Sequence, residues 1–271
     1  MEIFSSYSGP DFLAFYSVML VTCVFLGFWI PANLREAGRR NPVEDIEEAA
    51  VLSGGIVRHS LTVAADLMAR GGLREGSKSK LTVNRQDIDA GTAGRSLLRK
   101  MGEFDLRELK ATTASAGKSI EARLIRRGLL MDRAESWKLR ILSVLPYAVL
   151  FAVGLYRQQA GAALGEPTDF LIALMMLTAA FAGIRLAKFN TRTAAGNLAL
   201  RDLEAEASRM KRAPQPQEAG FAVALFGTAI LVGTPWQQVH AMRQSGTGDT
   251  GSSGGDGDGG GGCGGCGGCG G

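Results

Sequence analysis

Three cysteines at positions 263, 266 and 269, each separated from the next by two glycines, are the residues in this chain whose type and spacing could do chemistry. A C-x-x-C pair is a good bite for a soft cation, so Cys263, Cys266 and Cys269 could ligate Zn²⁺ or Cu(I). Three thiolates leave the fourth position of a zinc tetrahedron to a second chain or to His240. Each cysteine also follows a glycine, the pattern on which heterocyclising enzymes close cysteine onto the preceding carbonyl. The same three residues are therefore candidate modification sites as well as candidate metal ligands. Lipidation or intermolecular disulfides are a third chemistry open to them. Against all of these stands a plain low-complexity tail with reduced thiols.

Little else in the chain could take part in catalysis. Histidine occurs only at positions 59 and 240. There is no phosphate-binding loop, no G-x-S-x-G and no H-E-x-x-H, and neither Gly54-Gly55 nor Gly71-Gly72 has dinucleotide-loop spacing. Asp87 and Asp89 read as a solvated loop. Ser53 and Ser60 have His59 as their only nearby base, and a histidine adjacent to Ser60 on a helix points away from it. No catalytic residue is assigned, and the chain is read as non-enzymatic.

The cysteines sit at the end of a stretch, 245–271, with 16 glycines in 27 residues and no apolar material to offset the entropy of ordering. The sequence assigns 238–271 to a disordered tail. What carries that tail is set by the apolar runs upstream. Residues 12–30 form 19 uncharged positions, about 28 Å of helix against a hydrocarbon core of about 30 Å. No basic n-region precedes them, and Pro31 followed by arginines replaces a cleavage site, so an uncleaved anchor over 1–30 is predicted. Runs at 141–156 and 170–187, joined by a short Gly/Pro-containing loop, predict a spanning hairpin over 141–189. A fourth run, 220–236, is shorter and glycine-interrupted. Its composition suits a span and a buried helix about equally, so the prediction is three or four transmembrane helices.

Arg35, Arg39, Arg40, Lys138, Arg140, Lys188 and Arg192 flank the runs on one side, whereas residues 1–11 carry no basic residue. The positive-inside rule then puts the N-terminus outside and residues 31–140 in the cytoplasm, in a bacterial inner membrane. The 31–140 domain has 21 Lys/Arg and 15 Asp/Glu, a net charge of +6. Pro42 and the acidic residues after it predict a helix start. Ser53-Gly54-Gly55 predicts a stop, a second helix follows to Arg70-Gly71-Gly72, and 73–83 predicts a hairpin turning near residues 75–78. This order resembles a winged helix. Because VAADLMARGGLREG (63–76) is similar to SIEARLIRRGLLMD (119–132), two winged-helix-like units are expected, over about 43–90 and 95–140. Residues 190–218 predict a linker helix on the same side.

A basic winged helix invites a nucleic-acid reading through Arg58, His59 and Arg70. That face is thin, and closeness to an anionic leaflet explains the same charge excess. Expected partners are the lipid bilayer and proteins at the cytoplasmic domain, with nucleic acid disfavoured and oligomeric state unassigned.

The phrases EEAAVLSGGIVRHSLTVAADLMARGGL (47–73), RLIRRGLL (123–130), TRTAAGNLAL (191–200) and GFAVALFGTAIL (220–231), with the tail, together resemble an uncharacterised family of bacterial membrane proteins. The resemblance implies a membrane-associated helical core followed by a Gly/Cys-rich tail, and carries over no activity or cofactor. The expectation is a mainly α integral membrane protein acting as a non-enzymatic, membrane-anchored or envelope-associated scaffold. The alternatives are a substrate of cysteine-modifying enzymes and a membrane-tethered nucleic-acid-binding regulator.

Overall fold

The computed structural model describes residues 9–163, 169–187, 189–211 and 215–247, and is mainly helical. In chain order it has α1 (Gly9–Asn33), α2 (Ile46–Ala69), β1 (Leu73–Glu75), β2 (Leu81–Val83), α3 (Thr92–Leu98), β3 (Glu103–Phe104) and α4 (Leu106–Arg126). After these come α5 (Arg133–Ala163), α6 (Asp169–Ala187), α7 (Ala194–Glu206), α8 (Ala219–Phe226) and α9 (Gln237–Thr247).

Helices α1, α5 and α6 are long and apolar enough to cross a membrane. They pack on one another through Phe12, Tyr16, Leu20 and Cys23 of α1, spaced by four, four and three residues so that they share one helix face. Tyr147 and Leu150 of α5 and Leu171 and Met175 of α6 meet that face. Two polar contacts lie inside: the Tyr16 hydroxyl lies 3.1 Å from that of Thr178. The Cys23 thiol donates to the Pro146 carbonyl at 3.4 Å.

The other elements form a body with an apolar interior. In α2 the backbone breaks at Gly54 and Gly55, the latter at φ 69° and ψ −163°, a region that essentially only glycine occupies. The break turns the helix into two arms, 46–53 and 56–69, as the Ser53-Gly54-Gly55 signal predicts. The hairpin also forms, with its turn at Gly76 to Lys80 rather than at 75–78, because Lys78 and Ser79 take positive φ. Leu73, Leu81, Val83 and Phe104 share the core-facing side of the sheet, while Arg74, Thr82 and Glu103 share the other.

β3 comes from the stretch expected to form a second unit, yet it pairs with β2 and joins the first unit's sheet. Leu97, Leu106 and Leu109 share a core with Leu61, Leu67 and Leu73. The two similar phrases correspond to a repeated helix ending. Gly71 N–H bonds to Met68 O and Gly72 N–H to Leu67 O; in the same way Gly128 N–H bonds to Ile125 O and Leu129 N–H to Leu124 O. This is the Schellman geometry that a glycine at positive φ permits. A hairpin follows the first ending and α5 follows the second.

The fourth apolar run does not make a spanning helix. It makes α8, only eight residues long and stopped by Gly227 at φ 84°, and then a 3-10 turn at Thr228–Leu231. Val223, Ala224, Leu225 and Leu231 are core residues of the body, so three candidate spans remain among the described residues. Residues 238–247, assigned from sequence to the tail, lie in α9, with Val239 and Met242 in the same core. Residues 248–271 lie outside the described residues.

Candidate functional site

The two arms on either side of the break in α2 border a concavity of the body. Glu47 and His59 are 12 residues apart, which in a straight helix is a rise of about 18 Å. The two arms instead bring the Glu47 carboxylate within 2.9 Å of His59 Nε2. That carboxylate accepts, so Nε2 carries the proton, and the buried Nδ1 has no hydrogen-bond partner. Gly117 of α4 faces that nitrogen, where a Cβ would approach to 3.3 Å.

Glu47 lies on the rim of a cleft of about 450 Å³ between both arms of α2, the start of α3 and α4. Asp45, Asp66, Arg70, Ser119 and Arg123 line it with Thr62, whose buried hydroxyl has no partner. Gly91 closes one side, its Cα so near Glu47 that a Cβ would come within 2.5 Å of the carboxylate. Most of the charge around the cleft is already matched. Arg70 holds Asp66 and the Asp89 carbonyl. Arg123 holds Glu48 at 2.8 Å and Asp45 at 3.6 Å.

Glu48, fully buried, is the centre of a larger network. Arg127 reaches both of its oxygens at 3.0 Å, and the Glu44 amide donates to it at 3.0 Å. Arg127 also donates to the Pro42 carbonyl and to Glu44. One carboxylate thus ties the start of α2 to the end of α4. A second network satisfies helix C-termini. Arg192 donates to the carbonyls of Leu52 and Ser53, the last of the first α2 arm. Arg58 donates to the Leu225 carbonyl near the end of α8, and Ser53 Oγ to that of Ala224. A guanidinium at a helix C-terminus answers orphan carbonyls and the negative end of the dipole together. Burial lowers the Arg192 pKa; Glu204 opposes the shift, and the Arg58 and Arg35 cations add to it.

These facts place the sequence candidates. Arg58 and His59 are buried in the body and Arg70 is paired with Asp66, so the three do not share an exposed basic face. Asp87 is paired with Arg85 on the surface, and Asp89 meets Arg70 through its backbone. Ser60 donates to Ile56 O and accepts from Thr113 at 2.8 Å, away from the His59–Glu47 pair. His240 uses Nδ1 on Thr228 and Nε2 on Gln244, so both ring nitrogens are engaged in hydrogen bonds rather than open to a metal ion. No group of three His, Cys, Asp or Glu among the described residues is placed to hold a metal. Cys263, Cys266 and Cys269 lie outside the described residues. Sequence reasoning missed the Glu47–His59 pair and the Glu48 network. Their signal was present in the density of acids at 44–48 and the arginines at 123–127, but spacing alone does not say that the two runs meet.

Comparison with family models, with curated proteins and with solved structures gave no match, so the functional reading rests on the chain's own residues.

Proposed function

We propose that the protein is a non-enzymatic, membrane-anchored scaffold, with a rigid helical body held against the inner face of a bacterial cytoplasmic membrane and a Gly/Cys-rich tail as its working part. The observation that carries this reading is how the three chain segments joining bundle to body bond to one another. Ala194 and Ala195 N–H donate to Glu36 and Ala37 carbonyls at 2.9 Å, and Arg39 N–H donates to Gly128 O at 3.3 Å. Thr193 Oγ1 donates to the same Gly128 carbonyl at 2.8 Å. The exits of α1 and α6 and the entry of α5 are thus fastened together, which suits a platform rather than a domain that swings.

The polar groups around the body's cleft are mostly used in holding its own elements, as a structural role requires. The body contains segments from before and after the α5–α6 hairpin, so an even number of crossings must separate them, and two is the number available. By the basic flanks the body and tail are cytoplasmic and the N-terminus is outside.

The test is bifunctional thiol cross-linking in membranes of the native host, with intact-mass measurement of the tail. Adducts that vanish when Cys263, Cys266 and Cys269 are changed to Ser, with insertion intact, support the scaffold. A tail mass lower than encoded by multiples of water, with no adducts, overturns it in favour of a modified precursor.

A further inference from the structure

Three arginines lie at one end of the helical bundle. Arg35 is two residues beyond α1, Arg185 is two residues from the end of α6, and Arg140 directly precedes the apolar run of α5. α1 and α6 run toward this end and α5 runs away from it, so all three sit at the level where the bundle meets the body. Their charges are not neutralised: none makes an ion pair with a described residue. Arg35 donates to the carbonyls of Pro31, Asn190 and Arg192. Glu36 and Glu135, acidic residues adjacent to this junction, interact with each other, and the Glu36 carboxyl is raised by its hydrogen bond to Glu135. Burial and the neighbouring Arg185 cation both lower the Arg35 pKa.

The guanidinium planes are held by aromatic rings. Arg185 lies 4.9 Å from the Phe28 ring centroid. Arg140 lies 5.3 Å from that of Trp137 and 5.4 Å from that of Phe189. In both, the buried Nε–H has no partner. A buried charged donor left unsatisfied is costly, and the rings fix position without supplying an acceptor.

We infer that Arg35, Arg140 and Arg185 form a binding site for the phosphate of an anionic glycerophospholipid headgroup at the foot of the bundle. A phosphate supplies the negative charge that all three lack and the acceptor oxygens missing at Arg140 and Arg185 Nε, and a lipid brings it to this depth with its chains along the outward apolar faces of the helices. The inference rests on the membrane reading of α1, α5 and α6.

The test uses the full chain purified in mild detergent, offered equal amounts of phosphatidylglycerol and phosphatidylcholine, with retained lipid counted by native mass spectrometry. The natural chain should keep phosphatidylglycerol in preference. The double variant Arg140→Gln/Arg185→Gln should lose roughly 30-fold of that preference. Arg140→Lys/Arg185→Lys should keep most of it, which separates loss of charge from loss of fold. Lys138→Gln, a neighbouring exposed cation, should change it little. An unchanged preference in the double Gln variant, or an equal loss in Lys138→Gln, would overturn the site in favour of diffuse attraction. Competition by millimolar inorganic phosphate would overturn the choice of a lipid. A chain that washes off membranes in carbonate refutes the membrane reading itself; an integral chain with no lipid preference refutes only this site.

Discussion

Helices α1 and α8 are both apolar, yet they sit in opposite surroundings. In α1, Val18, Val21, Phe25 and Phe28 point outward, and 28% of its most apolar window is buried inside the protein. In α8, the residues from Ala222 to Leu225 are all buried, enclosed by α2 and by the 3-10 turn after Gly227. The bundle keeps its apolar surface outside and its few polar pairs within. The body encloses its apolar surface and places most charge on its outside, with Glu48 and Arg58 among the buried exceptions. Apolar composition alone therefore does not mark a helix that could cross a membrane; length without interruption and an unpartnered outer face are needed too.

A single substitution made in both regions should fail in two different ways. Val223→Asp puts an unpaired carboxylate into the body core and should cost about 4 kcal/mol or more, unfolding the body while the chain still fractionates with membranes. Val21→Asp faces outward at mid-helix and should cost about 3 kcal/mol of insertion instead. Limited proteolysis together with carbonate extraction separates the two; identical phenotypes would dissolve the distinction between bundle and body.

Within the body, Glu48→Gln should be the next largest change. It strips the shared partner from Arg123 and Arg127 and should lower stability by about 3 kcal/mol, read by chemical unfolding. A loss below about 1 kcal/mol would mean that solvent reaches the arginines well enough to replace the carboxylate. Gly55→Ala forces a Cβ into a glycine-only conformation and should cost about 1–3 kcal/mol, although nothing crowds the site. Hydrogen exchange should show the loss in the two α2 arms and leave α1 unaffected.

The smallest effect belongs to the junction between the regions. The hydrogen bond that the protonated Glu36 carboxyl donates to Glu135 raises it above its ordinary value, with burial and the charges of Glu135 and Asp132 adding to it. The folded state thus binds that proton more tightly. The stability gained is fully present below the unfolded pKa and is lost as pH rises through the raised folded one. Glu135→Gln should flatten that dependence by a few tenths of a kcal/mol, because the pair is largely exposed. A pH–stability profile compared with that of the natural chain measures it.

Turn and cap signals were legible because they are local. Gly54-Gly55, Gly71-Gly72 and the run from Leu73 to Val83 each imposed backbone geometry that neighbouring residues can state. β3 was not legible: two residues carry no period, and Phe104 becomes a strand residue only because Leu81 lies opposite it. The winged-helix pair misled because the phrases at 63–76 and 119–132 share a helix ending, and an ending does not specify the next element. Of the sites weighed from sequence, those on described residues make hydrogen bonds or ion pairs with their neighbours in the fold. The Glu47–His59 pair could not be read in advance, since its spacing of 12 residues is meaningless until the helix folds back on itself.

The sequence by itself determined the three long apolar helices, the basic residues that flank them, the glycine breaks and the composition of the tail, because each depends on a continuous stretch of chain and on local sterics or transfer energy. Only the tertiary structure decided that 220–231 is core rather than span, that 238–247 is body rather than tail, and that acids near 45 meet arginines near 125. The physical reason is common to all three. Burial and charge pairing are properties of the groups that lie opposite a residue, and the partner is supplied by chain more than a hundred residues distant for the fourth run and about eighty for the Glu48 network.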